Sequence, residues 1–206
     1  MKRPIRSLSL VLLCGALAAI PVQAGAAAEG KKKQAVRSDF TSDLIANLNR
    51  VGKQLISLAE ATPADKFAWR PNDDVRRMSE IYMHVVGPNI LIPARLGAAP
   101  PRTVTIPEKP FELFHKWETE VTTKEAVVAR LRESFEYASE AVKTIPSSDL
   151  DTEVDVFGFP ASKRAYLLIL MSHAHEHLGQ AVAYARTVGV VPPWSAPSPA
   201  AAGGGE

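Results

Sequence analysis

The sequence predicts an all-α protein, a four-helix bundle with long connecting loops. Three observations carry that prediction. Four separate stretches repeat apolar residues at three- and four-residue steps, no convincing series of strands accompanies them, and prolines and glycines punctuate their ends. Apolar residues make up 46% of the 206, enough for a core, and charged residues at 22% suit an ordinary globular chain.

The N-terminus reads as an export signal ahead of the fold. Lys2, Arg3 and Arg6 form a positive start, and Leu8 to Ile20 is an apolar stretch too short to span a bilayer comfortably. Val22-Gln23-Ala24 supplies the cleavage site, with Ala24-Gly25-Ala26 a second one. Residues 1–24 are therefore expected to be a signal peptide and the protein exported, periplasmic or extracellular. An uncleaved anchor is the alternative. Cleavage removes Cys14, the single cysteine, so the mature chain holds neither disulfide nor thiol nucleophile. It also removes three positive charges, leaving 21 Lys+Arg against 22 Asp+Glu. The net +2 of the whole chain thus belongs to its signal. A nucleic-acid partner, which needs a concentrated basic face, is not expected, nor is a membrane span in the mature chain. Lys31-Lys32-Lys33 falls in residues 25–38, an Ala-, Gly- and Lys-rich stretch read as a flexible leader.

The first helix is expected from Thr41, or from Ser42 as N-cap, to Ala61. Ile45, Leu48, Val51, Leu55 and Leu58 share one face, and Pro63 lies just beyond the end. The second begins near Ser79 as N-cap and turns Ile81, His84 and Val85 inward. Pro88 cannot donate to the carbonyl of His84, so this helix is expected to bend or break near His84, or to end at Gly87. Pro93 adds a second break. The third begins near Thr123 and carries Val128, Leu131, Phe135, Ala138, Val142 and Ile145 up to Pro146. The fourth opens after Pro160 with Ser162 as its cap and repeats Leu167, Leu170, Ala174, His177, Ala181, Tyr184 and Val188. Gly189 and Pro192-Pro193 close it.

The connections are unequal. Thr62 to Met78 joins the first two helices, and a Pro-rich stretch from Gly97 to Glu120 joins the next two. In the segment from Ser147 to Phe159, Val154, Val156, Phe157 and Phe159 suit an extended edge or a short hairpin. Long connections usually serve function. The domain spans 39–194, and residues 195–206, rich in Pro, Ala, Ser and Gly, read as a disordered tail.

Of five histidines, His173 and His177 stand four apart on the fourth helix, about 40° from one another on its apolar stripe. That spacing presents two imidazoles to one metal ion. His84 lies on the inward stripe of another helix. Three imidazoles meeting in a bundle core suit Zn²⁺ or Ni²⁺ and leave a position open. His175, about 200° from His173, cannot join them. His115 sits in a loop near Phe114 and Trp117 and is read as structural. Glu176 is a helix-surface residue or, beside the metal, a base or orienting group. Gly179 is expected to allow close helix packing, and Gln180 to offer the site a hydrogen bond. Asn89 and Tyr184 are candidates for a pocket mouth, and Trp69 with Arg70 for pinning a loop to the bundle end.

The stretch His173-Ala-His-Glu-His177-Leu-Gly179-Gln180 resembles the His-x-x-x-His-x-Gly-Gln signature of the DinB-like superfamily. Phe67-Ala-Trp69-Arg70-Pro71, followed by Ser79-Glu80 and His84, resembles its other signature, and Tyr184, Arg186 and Pro192-Pro193 fit its usual ending. The resemblance covers residues 39–194. It implies an up-down four-helix bundle in which His84, His173 and His177 hold one divalent metal, often zinc or nickel. It also implies kinship with bacillithiol transferases and mycothiol-dependent maleylpyruvate isomerases, in which a metal activates a small thiol. Those thiols are cytosolic, whereas this chain carries an export signal.

The expected function is that of an exported metal-binding bundle, a metal-dependent hydrolase or thiol transferase acting on a small molecule. The alternatives are a non-catalytic metal- or ligand-binding bundle and a helical homodimerisation module. An enzyme requires an open metal position at the base of a cleft, and a structural staple requires a closed one.

Overall fold

The structure is a computed structural model, and it describes residues 39–195. The expected signal peptide and leader, and residues 196–206 of the tail, lie outside the described residues.

Helix α1 spans Phe40–Ala61. Its cap is Asp39, not Ser42: Asp39 Oδ1 accepts the Ser42 N–H at 2.9 Å and Oδ2 the Ser42 hydroxyl at 3.0 Å. Leu44, Leu48, Val51, Leu55 and Leu58 are buried, while Ile45 is half-buried, so the apolar stripe is centred slightly away from the expected one. Thr62 ends the helix, giving both its N–H and its hydroxyl to the Leu58 carbonyl.

Helix α2 runs Met78–Arg95 without interruption through Pro88 and Pro93. The expected break does not occur. A proline inside a helix costs about 3 kcal/mol, but Ile90, Leu91 and Ile92 beyond Pro88 are all buried, each contributing about 1.5–3 kcal/mol. Packing wins. Ser79 is buried inside the helix and is not its cap; the Arg77 N–H closes the start by donating to Glu80 Oε2 at 2.7 Å.

Helix α3, Pro110–Glu120, was expected to be loop. Pro110 occupies its first turn, where a missing N–H costs nothing. Phe111, Phe114 and Glu118 then follow at helical spacing. α3 packs on α2 where Phe114 meets Gly87: a Cβ there would lie 2.8 Å from the ring. Gly87 is therefore a contact point, not a terminus.

Helix α4 spans Lys124–Lys143, capped by the Thr123 hydroxyl. Leu131, Phe135, Ala138 and Val142 are buried as expected, with Val127 in place of the half-buried Val128. Strands β1 (Glu153–Asp155) and β2 (Pro160–Ser162) form an antiparallel hairpin, pairing Val154 with Ala161. Gly158 takes a positive φ in its turn. Helix α5 runs Lys163–Thr187 from the expected Ser162 cap to Gly189, which also has positive φ.

The bundle is formed by α1, α2, α4 and α5. α2 packs on α4 and α5, α1 packs on the same two, and α3 lies outside against α2. The core has two clusters. At one end Leu44, Leu48, Leu91, Val142 and Leu167 meet; at the other Leu58, Ile81, Leu131 and Ala181 meet. Their membership fixes directions: α1 and α5 run one way, α2 and α4 the other. Because α3 carries the chain back, successive helices alternate in direction once it is counted. No helix among the described residues is long and apolar enough to cross a membrane.

Candidate metal centre

The antiparallel contact of α2 with α5 brings the three predicted histidines together. The ring centroids lie 5.0 Å apart for His84 and His173, 4.7 Å for His84 and His177, and 4.4 Å for His173 and His177. One ring nitrogen from each lies within 4.8 Å of the others, close enough to hold a single ion. His177 is buried at 7% exposure, while His173 is half-buried and the His84 side chain is 26% exposed, so the cluster is partly open to solvent.

Two of the rings are oriented by hydrogen bonds. His84 Nδ1 lies 2.6 Å from Glu118 Oε1, and the other oxygen of Glu118 accepts from Arg76 Nε at 2.9 Å. His177 Nδ1 lies 2.9 Å from Gln180 Oε1. Partners of this kind hold the proton on Nδ1 and leave the Nε2 lone pair free. His173 is different: its Nδ1 is buried with no hydrogen-bond partner. A neutral buried nitrogen without a partner is a cost that a Lewis acid can remove.

The electrostatics favour neutral rings at His173 and His177. Burial, then the positive character of His177, His84 and Arg76, pushes His173 down to about 3. Burial foremost also lowers His177, against the opposing pull of Gln180. Burial would raise Glu118, but its hydrogen bonds to His84 and Arg76 outweigh that and keep it ionised. Neutral imidazole is the form that ligates a metal.

Glu176 is exposed, and the carboxylate that reaches the cluster is Glu118 instead. His175 is half-buried and lies outside the cluster. His115 is on α3, not in a loop, and lines the mouth of the site. Asn89 is buried and bonded to Ser134, away from that mouth. A Cβ on Gly179 would meet nothing within 4 Å, so this glycine does not serve packing. Gln180 acts as expected. Tyr184 meets Trp69 edge-on at 5.4 Å, while the carbonyls of Phe67 and Trp69 accept the Ser79 and Met78 N–H groups, which ties this loop to the start of α2. A cavity of about 440 Å³ opens beside the cluster, lined by Asp74, Arg76, Glu80, His115, Glu118 and Gln180 among others; it touches the partners of the rings, Glu118 and Gln180, and not the three histidines themselves.

Glu118 and Arg76 were not found from the sequence. For Glu118 a signal existed: it follows Phe111 and Phe114 at i+7 and i+4, a carboxylate on the apolar face of a short helix. Nothing local marks Arg76.

A family model described as the DinB superfamily matches residues 47–181, which include all three histidines. Among solved structures the chain is similar to a DinB-like protein from Bacillus cereus, at 16% identity and TM-score 0.59, over 73% of this chain and 93% of that one. It is also similar to a DinB-like protein from Bacillus subtilis, at 19% identity and TM-score 0.57, over 76% and 96%. A conserved protein from Enterococcus faecalis gives 16% identity and TM-score 0.56, over 74% and 98%. At such identities these structures speak to the fold alone. No curated protein matches the sequence.

Proposed function

The chain belongs to the DinB superfamily, and on that footing we propose that His84, His173 and His177 bind one divalent metal ion in an exported enzyme acting on a small molecule. The buried, unpartnered Nδ1 of His173 within a triad of imidazoles carries the proposal. Zinc and nickel suit three imidazole donors. An ion bound there supplies Lewis acidity that brings the pKa of a water or thiol toward neutral.

The protein's own groups have distinct tasks. Glu118 holds the proton at His84 Nδ1, and Arg76 keeps Glu118 ionised. Gln180 fixes the His177 ring. The His84 side chain is 26% exposed, and the 440 Å³ cavity beyond its partner Glu118 gives a small molecule room to approach, which favours an open site over a structural staple. The export signal favours hydrolysis over transfer of a cytosolic thiol.

Elemental analysis of protein purified without a His-tag, beside a His173→Ala/His177→Ala double variant, tests the site. About one zinc or nickel per chain, absent from the double variant, is expected. No metal after reconstitution with either ion sinks the proposal. Loaded protein that turns over no small ester, amide or thiol conjugate reduces it to a non-catalytic metal-binding bundle.

A further inference from the structure

A second cavity lies apart from the histidines, between α2, α3, α4 and the segment 101–104, and holds about 330 Å³. Its walls are Val86 and Ile90 of α2, Trp117 of α3, Tyr137 of α4 and Val104. No residue that lines it also lines the mouth of the histidine cluster. Concave, mainly apolar spaces of roughly 300 Å³ and above, with a few polar groups, are what small organic ligands occupy.

The polar groups around it have one sign of need. On the rim α4 sets Arg130 against Glu133, Glu136 and Glu140. Arg130 pairs with Glu133 at 3.1 Å, and Lys143 pairs with Glu140. Glu136 has no ion-pair partner among the described residues. Deeper in, the Ser134 hydroxyl donates to the Leu131 carbonyl and accepts from Asn89, which lies behind it and does not line the cavity, while the Tyr137 hydroxyl is buried without a partner. The rim thus carries three carboxylates against one guanidinium, and the floor offers an unpartnered hydroxyl that can accept as well as donate.

We propose that this cavity binds a small primary amine with an aromatic or branched aliphatic body. The body packs on Val86, Ile90, Val104 and Trp117, and the ammonium group meets Glu136. Trp117 adds a ring face to which a cation is attracted. This site is independent of any metal.

The test is calorimetric and fluorescence titration of the full chain with 2-phenylethylamine, tryptamine and 3-methylbutylamine, beside 3-phenylpropionate and 2-phenylethanol. At least one amine is expected to bind saturably, about tenfold tighter than 3-phenylpropionate, because the rim attracts one charge and repels the other. Glu136→Gln, an exposed change, should weaken the amine about two- to fivefold and leave 2-phenylethanol unaffected. Val104→Trp should fill the space and abolish binding, with unchanged circular dichroism as the control for folding. Trp117→Phe should remove the fluorescence response while calorimetric binding remains. The His173→Ala/His177→Ala variant should bind the amine normally, which separates this proposal from the metal site. No saturable binding of any amine, equal binding of amine and acid, or indifference to both Glu136→Gln and Val104→Trp overturns it.

Discussion

Glu118 shows how much one side chain decides at this site. It is 8% exposed, yet stays ionised because it sits between His84 and Arg76. Glu118→Gln keeps the shape but loses the charge that holds the His84 proton in place. Metal affinity is expected to fall about 10- to 100-fold, read by competition with a chromophoric chelator, while the unfolding midpoint of the metal-free protein moves little. A wild-type affinity would remove Glu118 from the site. The depressed His173 and His177 have a second consequence. In the unfolded chain a histidine takes up a proton near its ordinary 6.5, whereas folded His173 resists down to about 3. The unfolded state therefore binds more protons across that window, and stability of the metal-free protein falls as pH drops from about 6.5 toward 3. Urea denaturation at a series of pH values should show this slope, flattened in His173→Phe. At this scale His84, His173 and His177 were legible because their spacing and stripe are local properties. Arg76 was not, because its role arises only when α3 lies beside the start of α2.

At the scale of elements, helix periodicity was readable wherever one face is buried and the other wet, as in α1 and α4. It misled in α2, which is enclosed on nearly all sides and reads as uninterrupted apolar chain with two prolines in it. It missed α3, whose eleven residues lie behind a proline-rich approach and present a narrow apolar edge. The contact that positions α3 is the seat of Phe114 on Gly87. Gly87→Ala places a methyl group against that ring and should cost about 1–3 kcal/mol, measured by equilibrium unfolding. If α3 shifts to relieve the clash, Glu118 moves with it, and metal affinity falls in the same variant. A Gly87→Ala protein of full stability and full affinity would mean that α3 is not held there.

For the molecule as a whole, the four-helix core and the two opposed pairs of directions within it, α1 with α5 against α2 with α4, follow from where Leu44, Leu58, Leu91, Ile81, Val142 and Leu131 fall along the chain. Two apolar clusters, one at each end, are reached in opposite order by antiparallel helices. An ion held by the proposed triad would tie α2 to α5 and so add to the stability of the whole. With free metal at 100 times its dissociation constant the gain is about 2.7 kcal/mol, which for a domain of this size raises Tm on the order of 5–10 °C. Treatment with a chelator should lower Tm by that amount, and readdition of zinc or nickel should restore it. The His173→Ala/His177→Ala variant should show no chelator effect.

His84 and His173 stand 89 positions apart in sequence (173 − 84), with α3, α4 and the hairpin synthesised between them. A growing chain therefore holds an incomplete ligand set until its last helix is made, and loop closure over such a distance comes late in folding. On the proposed site, an ion would be captured by a protein already assembled and would not template it. The compartment in which this polypeptide folds, with its own supply of free metal, would then choose the cargo.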